Sequence, residues 1–128
     1  MRYLGIDYGS KRIGVALSDA EGDFSYPKEV VKNDKYALDH ITRLCTKEEV
    51  GGIVMGESRD YKGIENPIMK KARAFAAALA EKTTLPVHFE LEFLTSAEAL
   101  RIQDPGSLLD ASAAALILKS FLGRNAKK

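Results

Sequence analysis

The chain has 128 residues, 45% hydrophobic and 29% charged, with a formal charge of 19 − 18 = +1. That is enough apolar sequence for one packed domain, and the near-neutral balance excludes a global basic field, so a nucleic-acid partner would have to read a local patch. One cysteine, Cys45, excludes an internal disulfide, no apolar run approaches the ~20 residues of a membrane helix, and Met1-Arg2-Tyr3-Leu4 runs into a strand rather than a secretion signal, so a cytoplasmic domain with no membrane partner is expected.

In chain order, Tyr3 to Gly9 and Ile13 to Leu17 read as two strands joined by the hairpin turn Gly9-Ser10-Lys11-Arg12. Ser18 to Asp23 is a polar turn. Phe24 to Val31 reads as a third strand, with Pro27 marking an edge or a break. Asn33 and Asp34 are cap residues for a helix on which Leu38, Ile41, Leu44 and Cys45 recur at helical spacing; Gly51-Gly52 is its expected stop. Ile53-Val54-Met55 is a short buried strand, and Glu57 to Asn66 a polar loop.

Asn66-Pro67 opens a helix to about Glu81, with Ala72, Phe75, Ala76 and Leu79 inward. Val87 to Phe93 is a fifth strand. Thr95 and Glu98 form a capping box for a short helix. Leu108 to Leu122 is a final helix with Gly123 as its stop, which gives a domain over 1–123 and a flexible basic tail over 124–128. An antiparallel meander followed by alternating units predicts an α/β fold, a mixed five-stranded sheet with helices on both faces.

Three acids are candidates for chemistry. Asp7 lies mid-strand, where a carboxylate is costly unless a metal ion, an arginine or backbone donors meet it. Glu92 lies near the end of the fifth strand and Asp110 in the first turn of the last helix. Magnesium takes oxygen ligands, and two such ions about 3.5–4 Å apart stabilise the attacking and leaving oxygens of a phosphodiester. Each acid also has a plainer reading. Asp7 could pair with Arg2 or Arg12, Asp110 could simply complement a helix N-terminus, and His88, Glu90 and Glu92 could form a solvated strand face.

The run Gly5-Ile6-Asp7-Tyr8-Gly9-Ser10-Lys11-Arg12-Ile13-Gly14-Val15-Ala16 closely resembles the opening motif of the YqgF family, also called RuvX-like. These are RNase H-like proteins described as Holliday junction resolvases and pre-16S ribosomal RNA nucleases. The resemblance extends at lower similarity over nearly the whole chain. It implies an RNase H-like sheet and hydrolysis of a phosphodiester in structured RNA or branched DNA, a ribosomal precursor among the possible partners. It implies Mg2+ or Mn2+ held by three acids. The family's first acid falls on Asp7, and its last on Asp110 in Leu109-Asp110-Ala111-Ser112-Ala113-Ala114. The middle acid falls on Glu92, counted back from Thr95-Ser96; Glu90 is the choice if the register differs by two. Here the family's Asp-Glu-Arg is replaced by Leu91-Glu92-Phe93, and its Gly-apolar-Pro after the fourth strand by Gly56-Glu57-Ser58.

Lys11 and Arg12 on the first turn are candidate phosphate contacts, and Arg59 is a candidate substitute for the missing arginine. Lys70, Lys71 and Arg73 read as a solvated helix face. His40 and His88 have no partner at ligand spacing. Two alternatives stand beside the nuclease. Leu91 and Phe93 motivate a nucleic-acid- or ribosome-binding module with a degenerate site. The Asp-x-Gly strand-turn-strand also resembles the nucleotide-binding opening of actin-like ATPases and sugar kinases, which need a second domain to close their cleft.

Overall fold

Arg2 to Tyr8 form a central strand whose residues Leu4 to Asp7 are buried, and the rest of the sheet assembles around it. The computed structural model describes residues 1–59, 62–92 and 108–126; for 92, 108–110 and 125–126 it describes the backbone alone. The elements are β1 (Arg2–Tyr8), β2 (Arg12–Ser18), β3 (Ser25–Lys32), α1 (Ala37–Lys47), β4 (Val50–Ser58), α2 (Ile68–Thr83), β5 (Val87–Glu92) and α3 (Leu108–Ala126). The sheet order is β3-β2-β1-β4-β5, with β1 antiparallel to β2 and parallel to β4. β2–β3 is antiparallel and β4–β5 parallel, so the sheet is mixed, as the element order predicts.

Central placement explains the unalternating apolar run of β1, since Leu4 to Asp7 are all buried. Leu4, Ile6, Ile13, Val15, Ile53 and Met55 pack on one face against Ile41 and Leu44 of α1 and Met69, Ala76 and Leu79 of α2. On the other face Ala16 and Val54 meet Ala114, Ile117, Leu118 and Phe121 of α3. β3 is an edge strand, and Pro27 sits where the β2–β3 register shifts, in keeping with an imino acid that cannot donate to a ladder. Among the described residues no helix is long and apolar enough to cross a membrane.

Four local expectations are corrected. Gly51 and Gly52 do not stop α1, which ends at Lys47; they lie inside β4, beneath Met1 and Tyr3. A Cβ on Gly51 would stand 2.5 Å from Met1 Cγ, and one on Gly52 would stand 2.8 Å from Tyr3 Cε1. Asn33 does not cap α1, whose N-cap is Tyr36 with no side-chain bond. α3 passes through Gly123 to Ala126, so Arg124 is helical and not the start of a flexible tail. The strand face bearing Glu90 is not wholly solvated, because α3 covers it. Phe93 and the short helix expected from Thr95 and Glu98 lie outside the described residues.

Candidate active site

Alternation along β1 decides which way Asp7 points. Tyr3 stacks edge-on against Phe121 of α3 at 5.4 Å between ring centroids. A Cβ added to Gly5 would stand 3.0 Å from the Ala114 carbonyl oxygen and 3.0 Å from Leu118 Cβ, so α3 lies directly on the β1 backbone there. Asp7 is the next residue on that face. It is 7% exposed. Its β2 partner is Gly14, and the β4 register, which pairs Ile6 with Met55, continues to Gly56. Both glycines are buried. A carboxylate is therefore held at the α3 face, and the positions level with it on both neighbouring strands are glycines. That geometry suits a hard cation, which needs anionic oxygen and room for its waters.

The turn after Asp7 is fixed by contacts. A Cβ on Gly9 would stand 2.5 Å from the Arg12 carbonyl oxygen, so only glycine fits. Asn33, just past β3, donates from Nδ2 to the Gly9 carbonyl at 2.7 Å and from its backbone N–H to the Lys11 carbonyl at 2.9 Å. Lys11 and Arg12 are exposed on this pinned turn. Asp34 makes an Asx turn, its Oδ1 accepting the Tyr36 N–H at 2.9 Å.

On β5, Val87 and Phe89 face α2, so His88 and Glu90 alternate toward α3. Glu90 is 5% exposed and accepts from Ser120 Oγ at 2.7 Å and from the Arg124 guanidinium. Ser120 and Arg124 lie ten and fourteen residues beyond Asp110 on one helix. At 1.5 Å per residue that is roughly 15 and 21 Å along the axis. Glu90 is thus anchored toward the end of α3 remote from Asp110. Glu92 is the last residue of β5, opposite Ser58. Asp110 is the third residue of α3. Leu91, where the family pattern has aspartate, pairs with Glu57 and is 40% exposed on the α2 side of β5, away from the face of Asp7. Among the described residues no three Asp, Glu, His or Cys side chains form a metal-sized group; the side chains of Glu92 and Asp110 lie outside that set.

Arg59 is not brought to Asp7. Its guanidinium pairs with Glu57 at 2.5 Å and donates to the Gly63 carbonyl at 3.1 Å, on the α2 side of β4. Arg73 of α2 joins the same group, bonding Glu57 at 3.1 Å and Glu65 at 2.8 Å. The hydrogen bond from Arg73 holds the Glu65 carboxyl below its usual range, and Glu65 in turn raises Arg73. Sequence reasoning overlooked Asn33 as a turn anchor and the Glu90–Ser120–Arg124 network. The i, i+4 spacing of Ser120 and Arg124 was the available signal for the network.

The RuvX family, described as Holliday junction resolvase, matches residues 1–124. The chain belongs to the RuvX family. A relative from Lactobacillus gasseri, named "Putative pre-16S rRNA nuclease", is 35% identical over 136 residues, covering 95% of each chain. One of the same name from Nitratidesulfovibrio vulgaris is 35% identical over 133 residues, covering 95% of this chain and 93% of the relative. Among solved structures, Thermus thermophilus RuvC in complex with a Holliday junction substrate superposes with a TM-score of 0.62 at 19% identity, covering 98% of this RuvX-family chain and 96% of RuvC. At that identity the likeness is one of fold, and it bears out the RNase H-like sheet that the opening motif implies.

Proposed function

We propose that this protein is a divalent-metal-dependent nuclease that hydrolyses a phosphodiester bond in structured nucleic acid, either a precursor of 16S ribosomal RNA or a four-way DNA junction. The observation that carries the reading is Asp7, a buried carboxylate in mid-sheet on the α3 face, level with Gly14 and Gly56 on the neighbouring strands. The other two acids are Glu92 and Asp110. Contacts along β1 and α3 run in opposite senses, Phe121 on Tyr3 and Leu118 and Ala114 on Gly5. One further helical turn leads from Ala114 to Asp110 as β1 leads from Gly5 to Asp7. Glu92 rather than Glu90 supplies the middle acid, since Glu90 is committed to Ser120 and Arg124.

Asp7, Glu92 and Asp110 would hold Mg2+ or Mn2+, which supplies Lewis acidity and a nucleophilic hydroxide at neutral pH. The protein's own part is to exclude bulk water beneath α3, to set three anions from distant elements at one edge, and to offer Lys11 and Arg12 to the phosphate backbone. Substitution of the family aspartate by Leu91 leaves this arrangement intact, because that position faces α2. The wild-type protein is expected to cleave a hairpin pre-rRNA fragment or a four-way junction only with divalent metal, and Asp7→Asn to lose cleavage on the order of a thousandfold while keeping its circular dichroism spectrum. Equal cleavage by Asp7→Asn would reject the reading. Binding that survives Asp7→Asn, with no cleavage by the wild type under any metal, would favour a binding module instead, the reading that Leu91 and Phe93 motivate.

A further inference from the structure

The β2–β3 register sets Arg12 directly opposite Lys32. The row before it pairs Gly14 with Val30, and Gly14 is also the partner of Asp7. Arg12 and Gly14 share a face by alternation, so Arg12 and Lys32 emerge on the face of Asp7, one row further toward the open end of the sheet. Both are exposed, as is Lys11 on the adjoining turn. Directly opposed side chains on antiparallel strands stand about 4.5–5.5 Å apart at Cβ, and like charges there repel. The juxtaposition is fixed in place, because Asn33, the residue after Lys32, bonds the Gly9 and Lys11 carbonyls of the turn that carries Arg12. Lys35 turns aside to pack over the Tyr36 ring at 5.3 Å.

The geometry points to Lys32 and Arg12 as a cross-strand clamp for the phosphodiester backbone flanking the cleaved bond, with Asn33 as the residue that positions it. This rests on the nuclease reading and extends it with a contact on β3. A polyanion laid across β2 and β3 gains a charge-assisted contact at Lys32 and at Arg12 and releases condensed counterions. The contact reads backbone charge and not base sequence, so RNA and DNA share it.

The test uses the full chain and two labelled probes, an RNA hairpin and a four-way DNA junction, with binding measured across a salt series without added divalent metal. Lys32→Gln is expected to weaken binding of both probes roughly fivefold to tenfold at 0.1 M salt and to flatten the log–log salt slope by about 0.7–0.9. Its thermal midpoint should match that of the wild type, because Lys32 is an exposed side chain on the edge strand. Lys32→Arg should restore binding, and Lys70→Gln on α2 should bind as the wild type does. Unchanged affinity and slope in Lys32→Gln, while Asp7→Asn still abolishes cleavage, would overturn the clamp and leave the nuclease standing. Loss on one probe alone, or loss that arginine does not restore, would also overturn it. If the wild type neither binds nor cleaves either probe, the nuclease reading fails and the clamp with it.

Discussion

The two faces of the sheet are built for different ends. The face under α1 and α2 is sealed by a continuous cluster of Leu, Ile, Val and Met that reaches from Ile13 to Leu79. The face under α3 brings Gly5 against Ala114 beside Leu118 and Phe121, and among the described residues it buries the carboxylates of Asp7 and Glu90. A helix seated that closely gains less apolar burial than a leucine-rich one, and buried carboxylates cost stability unless paired. Both sides bury apolar residues, and the candidate chemistry lies on the α3 side. The two carboxylates on that second side also differ. Glu90 bonds Ser120 and Arg124 toward the far end of α3, and Asp7 lies between Gly14 and Gly56 in mid-sheet.

The contrast can be broken first at its largest effect. Leu79→Ala on the α2 side and Leu118→Ala on the α3 side should each cost about 2–5 kcal/mol in urea unfolding, since both side chains are fully buried. Per folded molecule, Leu79→Ala should cleave as the wild type does. Leu118→Ala should cleave more slowly, because it loosens the helix that carries Asp110. Equal cleavage in the two would mean that the faces are not functionally distinct.

A smaller effect separates the two buried carboxylates. Glu90→Gln removes a charged acceptor from Ser120 and Arg124. Arg124 is 66% exposed on its side chain, which screens the pair, so the loss should be about 1–2 kcal/mol. Cleavage should stay within a few-fold of the wild type, whereas Glu92→Gln should nearly abolish it. The reverse pattern would exchange the roles of these two residues.

The smallest effect at neutral pH belongs to Cys45, in the α1–α2 cluster. Burial pushes its thiol from 9.0 up to about 11. A folded-state pKa above the unfolded one means that the neutral thiol's contribution is complete below pH 9 and is lost as pH rises toward 11. Over that window unfolding should become easier by roughly 2–3 kcal/mol in the wild type relative to Cys45→Ala. At pH 8 iodoacetamide should modify the native thiol far more slowly than the urea-unfolded one; equal rates would contradict the sealed face.

What was legible in the sequence follows the same division. The strands and helices of the apolar face declare themselves through periodicity, as Leu38, Ile41, Leu44 and Cys45 do on α1. Asp7 is legible because a carboxylate inside an apolar run is anomalous. The misread features depend on contacts between distant parts of the chain. Gly51-Gly52 carries the local signal of a helix stop, yet Met1 and Tyr3 lying above it decide its place in β4. Asn33 carries the signal of a cap, yet the hairpin turn takes up its hydrogen bonds. Gly123 has nothing within 4 Å of where a Cβ would stand, so α3 runs through it to the arginine that meets Glu90. Alternation in the sequence puts Glu90 and Glu92 on one face, and it gives no sign of the bonds that commit Glu90 to Ser120 and Arg124.

Mn2+ binding followed by electron paramagnetic resonance tests the central claim most directly. The wild type should bind Mn2+, and Asp7→Asn, Glu92→Gln and Asp110→Asn should each weaken binding at least tenfold, while Glu90→Gln binds as the wild type does. Wild-type affinity in Asp110→Asn would contradict the account, because the first strand and the last helix would then not share a metal.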